Sequence, residues 1–510
     1  MFFHLGEHRH GDSLNFNGIH QEMLNNKIDA FSKAFLATTV ACARCHDHKL
    51  DAVSQRDYYA LASVFTTPRW TSRVIDTPHR HADAIRRLKS LRAEIRKQLS
   101  GSWRQAASRF SDELRAAIAG ETTRDEPDAI ADQGRAVAEK RRDVWRRVLR
   151  IDSGEKQKVA IEQIAYPASR VLAVQDNKQI PKMWREIAET WRSERQERTA
   201  WNRKHFQVVS DFRESTLPAG WTADGDGVRH GFVADGTPLI ATAGESIVQR
   251  LLPRGVHTHA LSARLPGSLR TPRLQTLGAK YLSVLLAGGE WSGHITIPNN
   301  AFLTERVGFL RASDGPGWQR FHTFQDQPDA QVRTEIATGS LNPNFPPRTG
   351  LARAGSTRLP DEDFGIDKQS WFSITGLVTH DAAEAPQDTL ESFASLYGSG
   401  RPDAPADDGV PMRTQGDCLA YIGGWLRAAV DRWADGEHLA GDVRIINWLL
   451  IHGLLPNVSS GDERLQQLVA EYRRVANTIS PARTVNSLDE TSRSAVTYRR
   501  NIRGNVDELG

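Results

Sequence analysis

The chain has 510 residues, a length that predicts about three domains. Hydrophobic residues make up 39% of it and its mean hydropathy is −0.50, which leaves no segment fit to span a membrane. Lys and Arg number 66 against 62 Asp and Glu, a net charge of +4 that lacks the basic excess of a general nucleic-acid binder. The opening Met1-Phe2-Phe3-His4 has neither the basic start nor the long apolar run of a signal peptide.

Residues 1–78 form the first segment. Ile28, Phe31, Phe35, Leu36 and Val40 recur at near-helical spacing and predict a helix running into Cys42. Then comes Cys42-Ala43-Arg44-Cys45-His46, which is C-x-x-C-H, the covalent attachment sequence of a c-type haem. That chemistry needs this order: two thiols add across the two vinyl groups of one porphyrin, and the next residue presents an imidazole to the iron. Cys42 and Cys45 are therefore the candidate thioether residues and His46 the candidate proximal ligand. Two other readings of the motif are a redox dithiol and a zinc site drawn from Cys42, Cys45, His46 and His48. Zinc is disfavoured because His46 follows Cys45 directly and no second cysteine pair exists among the three cysteines of the chain. The sixth iron ligand is open among His4, His8, His10, His20, His48 and Met23. His8 and His10, in Gly6-Glu7-His8-Arg9-His10-Gly11, are preferred, because a glycine-bounded loop is free to fold over the distal face. Asp47 and Lys49 flank the motif as candidates to tune the haem field or as members of a salt-linked turn, and Arg44 is expected to face solvent. A second helix is predicted over about Arg56 to Phe65, with Asp57 in its first turn; Pro68 and Pro78 bracket an irregular exit.

Residues 79–205 are rich in Arg, Glu, Ala and Leu and predict helices near 79–99, 103–119, 128–150 and 181–205. Their arginines read as a solvated helical face, not an RNA surface. Residues 206–397 break into short strands between Gly, Pro, Asn and Asp. Tyr281–Ala287, His294–Ile297 and Trp371–Val378 are the clearest, and their spacing predicts an antiparallel β-sandwich of jelly-roll or lectin type. Trp291, Trp318 and Trp371 are its candidates for stacking on sugar rings, with buried core as the commoner fate. A Gly/Pro/Asp linker covers 398–412, helices return near 414–434, 441–453 and 461–479 within 413–485, and 486–510 is expected to be extended and uncovered. Cys418 is left over by haem attachment and is expected to pack as a small apolar residue. The fold class predicted is thus α+β and multidomain. No dinucleotide fingerprint, phosphate loop or nucleophile elbow stands in a usable context.

The stretch from Asn26 to Phe65, NKIDAFSKAFLATTVACARCHDHKLDAVSQRDYYALASVF, resembles the haem-motif segment of the large planctomycete cytochrome-c-like proteins, a family with domains of unknown function. Leu50 stands where that family has Phe, and Ala52-Val53 where it has Pro-Ile. Leu454-Leu455-Pro456-Asn457, Val469-Ala470-Glu471-Tyr472-Arg473-Arg474 and Arg503-Gly504-Asn505 resemble the lead-in to the family's second domain, which implies that the chain is an internal piece of a larger protein. Leu269–Leu274, the Tyr281 strand and Gly288-Gly289 resemble its sugar-binding-type sandwich. The resemblance implies haem c bound covalently through Cys42 and Cys45 in a periplasmic or cell-surface protein. Electron transfer or other haem redox chemistry follows, with a redox partner protein and possible polysaccharide contact. The alternative is a carbohydrate-binding or cell-surface interaction protein in which the Cys/His motif, with haem or zinc, is structural. Whether the chain is an enzyme stays open, and neither nucleic acid nor a membrane span is expected.

Overall fold

The computed structural model describes residues 18–66, 69–77, 79–118, 129–149, 151, 159–214, 216–275, 278–289, 291–298, 306–310, 313–323, 331–342, 370–397, 412–489, 500–508 and 510. The fold is mixed α+β, with helices before and after two antiparallel sheets. No helix among the described residues is long and apolar enough to cross a membrane.

The expected helices after residue 78 lie at Ala82–Ala107, Phe110–Ile118, Ala129–Val148 and Ile180–His205, and those near the C-terminus at Gln415–Asp435, Ala440–Ile451 and Glu463–Asn477. Ala82–Ala107 buries Ile85, Leu88, Ile95, Leu99 and Trp103 along one stripe. Gln415–Asp435 starts at a capping box between Thr414 and Asp417 and stops at Gly436, whose φ of 83° supplies the left-handed cap. These helices, separated in sequence by the whole sandwich, share one hydrophobic core. Trp103 stacks on Trp433 with ring centroids 4.6 Å apart, and Arg87 pairs with both carboxylate oxygens of Glu471 at 2.9 and 2.7 Å.

The sandwich places Ser313–Thr323, Tyr281–Gly288, Phe372–His380, Gly255–His257 and Phe232–Val233 in that order in one sheet, with Phe206–Ser210 also paired to Phe372–His380. The second sheet runs Arg306–Phe309, Gly293–Pro298, Gln331–Ala337, Ser268–Arg270, Thr222–Asp224. Leu282, Val284 and Leu286 alternate along one strand and meet Val332 and Ile336 of the other sheet in a common core. A hairpin, Thr237–Ile240 with Val248–Leu252, leaves the sandwich and joins the helical core. Its edge is closed by two amides: Asn447 and Asn457 each accept one backbone N–H and donate to the same residue's carbonyl, at Leu251 and Val248. Such pairing satisfies an edge that burial would otherwise leave costly.

Of the tail expected to be extended and uncovered, residues 490–499 and 509 lie outside the described residues. Thr484–Asp489 is extended and its backbone pairs antiparallel with Arg69–Val74, the strand that follows the motif helices, although Val485 stays 38% exposed. This ribbon docks on the sandwich through Thr71, whose hydroxyl accepts from Arg270 at 2.7 Å beside the fully buried Arg270–Glu335 ion pair at 3.0 Å. Entry and tail of the chain are thereby held together next to the first segment.

Candidate functional site

The single helix expected to run into Cys42 is three pieces. Ile19–Phe31 is α-helical, Ser32–Leu36 is one wide π turn, and Ala37 at φ 52° ends it in the left-handed region. A separate 3-10 turn, Val40–Arg44, then carries the first cysteine. A β-carbon disfavours the left-handed region, and π turns are uncommon and gather at functional sites. The break re-aims the apolar residues. Ile28 and Val40 are buried with Leu24, Ala43, Tyr58, Tyr59 and Ala62 in a small core, whereas Phe35 is 62% and Leu36 52% exposed.

Within the motif, the 3-10 turn sorts the side chains by position. Val40 and Ala43, three apart, point into the core; Cys42 and Cys45, also three apart, are exposed thiols. Arg44 departs from its expected solvent role. It binds Glu22 on the first helix at 2.5 Å with its side chain only 16% exposed, so it anchors the turn. Asp47 caps the second helix, Gln55–Thr66, accepting the Gln55 N–H at 2.8 Å. That helix in turn holds the motif: Gln55 and Tyr59 both donate to the Arg44 carbonyl, at 3.0 and 3.2 Å.

The two histidines of the motif have different roles. His46 is exposed, and its Nδ1 lies 2.7 Å from the Asp47 carbonyl. A carbonyl can only accept, so Nδ1 carries the proton and Nε2 keeps its lone pair, the tautomer that a ligating imidazole needs. His48 is spent on structure. Its Nδ1 accepts the N–H of Asp51 at 2.8 Å, so Nε2 carries the proton, which it donates to Thr39 Oγ1 at 2.9 Å. Thr38 also donates to Asp51. The loop after the motif is therefore stitched to the turn before it, with Leu50 in that loop 87% exposed.

One neighbour of the site was not anticipated from the sequence. The tail turn at Ile502–Gly504 lies against Cys45: Gly504, at φ 77°, sits so close that any β-carbon there would overlap the Cys45 sulfur. Tyr59 reaches the same turn, its hydroxyl 3.4 Å from the Asn501 carbonyl, and Asn501 is buried. Burial pushes the Tyr59 phenol above its ordinary pKa, so it remains a donor. The only hint in the sequence was the Arg503-Gly504-Asn505 resemblance, which says nothing about where that turn docks.

The remaining candidates are dispersed or lie elsewhere. His4, His8 and His10 lie outside the described residues; His20 and Met23 are on the first helix. Among the described residues no three His, Cys, Asp or Glu side chains come together as a metal cage. Cys418 is fully buried, as expected, with its thiol pushed up to about 12 by burial. In the sandwich Trp291 is buried and Trp371 packs on His259 at 4.0 Å, while Trp318 is half-buried, so these three are not an exposed stacking platform.

Residues 1–69 match the model of a family described as a protein of unknown function, DUF1549, with the short name PSCyt2. No curated protein and no solved structure matches the chain.

Proposed function

We propose that Cys42, Cys45 and His46 hold one haem c, and that the protein is an electron-transfer or haem redox protein working in the periplasm or at the cell surface. The observation that carries this reading is the sorting of the motif. Cys42 in the 3-10 turn and Cys45 at its end are both exposed, and the next residue offers an Nε2 lone pair because its Nδ1 proton is committed to Asp47. A zinc site would draw on His48 as a fourth donor, and both of its ring nitrogens are already engaged.

Bound there, the haem would supply reversible one-electron transfer at its iron. The chain's own part is to attach, orient and shield. Arg44 and Gln55 fix the turn from which the sulfurs project. Asp47 holds the imidazole plane through its carbonyl. Phe35, which packs on Phe31, and Leu36 and Leu50 are more than half exposed and give the motif segment apolar surface, of the kind against which a large apolar macrocycle packs. Attachment of this type takes place outside the cytoplasmic membrane, which is why the reading includes export, and a redox partner protein would dock at the exposed rim.

The test is extraction. Protein exported in a host with haem-attachment machinery should keep its colour after denaturation in acid and acetone, and should give a reduced-minus-oxidised difference spectrum. The variant Cys42→Ala with Cys45→Ala should release all of its haem. Complete loss of colour from the extracted wild type would sink the proposal.

A further inference from the structure

The tail turn is 442 residues from Tyr59 along the chain, yet it meets the motif at one of its two sulfurs. We infer that the segment Asn501–Asn505 is a wall of the attachment site and that Gly504 is the positioning residue for Cys45. This inference rests on the haem reading above and extends it to a part of the chain far from the motif.

Three observations carry it. First, the contact is specific to glycine twice over: Gly504 lies at φ 77°, where a β-carbon is strained, and an added methyl would overlap Cys45 Sγ while coming within 3.6 Å of its Cβ. Second, the turn is anchored from both sides. Asn501 is buried and its carbonyl faces the Tyr59 hydroxyl. Its side-chain amide donates to the Asn505 carbonyl at 3.1 Å. Third, the next residue but one continues the wall, since Val506 lies against Gly18 at the start of the first helix. Cys45 is thus held from the tail side as well as by its own turn. Attachment at Cys45 breaks its S–H bond and one vinyl π bond. It forms a C–S bond at the vinyl carbon next to the ring and leaves the hydrogen on the terminal carbon, with no net oxidation. The sulfur must approach that carbon along one direction, and the Gly504 backbone blocks another.

The test uses the full chain and two readouts. In haem-free protein, the alkylation rate of Cys45 relative to Cys42, read by mass spectrometry, should rise on the order of fivefold in Gly504→Ala, because sulfur or turn must move. In exported protein, Gly504→Ala should retain haem through Cys42 alone. Each unreacted vinyl moves the α band of the reduced pyridine complex to longer wavelength, and Cys45 would become alkylatable after denaturation. Adding Cys45→Ala removes the atom that the methyl overlaps, so Cys45→Ala and Cys45→Ala/Gly504→Ala should carry equal haem; the strain of the left-handed turn is common to both and cancels. If Gly504→Ala alone fails to fold, rescue by Cys45→Ala supports the inference, and failure in both backgrounds overturns it. Two intact thioethers with unchanged alkylation in Gly504→Ala also overturn it. A wild type without covalent haem would end the haem reading, while the alkylation ratio would still decide the role of Gly504.

Discussion

The motif segment and the helical body spend their apolar residues in opposite ways. In the body, Trp103, Trp145 and Trp433 are fully buried, and helices from before and after the sandwich close over them. In the motif segment the core is small, built around Leu24, Ile28, Tyr58 and Tyr59, and Phe35, Leu36, Leu50 and Val64 are more than half exposed. A segment of this size rarely supports itself on so little burial. The body thus closes its large apolar side chains into its own core, whereas the motif segment leaves several of its own exposed and is braced by the tail of the chain at Cys45 and Tyr59.

The largest expected effect is in thiol chemistry. Under native conditions a thiol reagent should label Cys42 and Cys45 of haem-free protein and leave Cys418 untouched until unfolding, because Cys418 is buried and its thiol is pushed up to about 12. Equal labelling of all three would mean that the body is not closed. Next, Trp433→Ala should cost the body about 3–5 kcal/mol, seen as an earlier thermal transition, while the folded fraction attaches as much haem as wild type; a parallel loss of haem would show that the two regions are not independent.

Acid should separate the sandwich from the motif by a similar amount. Burial lowers His257 from 6.5 to about 4. Between those values the unfolded chain binds a proton that the folded chain refuses, so stability is full above pH 6.5 and falls as pH drops towards 4, His257 alone contributing about 3 kcal/mol, with His259 and His294, also lowered by burial, adding in the same direction. Denaturant midpoints followed from pH 7 to pH 4 check this, and His257→Gln should flatten the slope. The smallest effect belongs to His48→Ala. Losing its bonds to Thr39 and Asp51 should cost about 1–2 kcal/mol, loosening the motif loop and lowering haem loading. The spin state of the iron should not change, since a histidine already bonded at both nitrogens is no axial ligand. A shift to high spin on this substitution would reverse that assignment.

Much of the fold was legible because period and composition carry it. The helix Ala82–Ala107 shows its stripe in Ile85, Leu88, Ile95 and Leu99, and the strand Tyr281–Gly288 shows an apolar run ended by glycine. The break after Phe31 was not legible, because Phe35 and Leu36 continue the helical spacing and the left-handed residue is an alanine, which does not signal a stop. That the helices flanking the sandwich form one core is a fact of tertiary packing that periodicity within each helix does not contain. At the site, the spacing alone singles out Cys42, Cys45 and His46 as a group. The structural use of His48 and the anchoring of Arg44 were not, since both depend on how a loop closes. The docking of Gly504 on Cys45 was the least legible feature, because nothing local in a polar tail announces a contact with a residue so far back in the chain.

The claim that the motif segment is built around a covalent group is tested most directly by the mass of one peptide. Exported protein, denatured, treated with a thiol reagent and digested, should yield the peptide containing Cys42, Cys45 and His46 heavier by one haem, with neither cysteine alkylated. The same peptide at its bare mass with both cysteines alkylated, from a host that attaches haem to a control protein, would contradict the account.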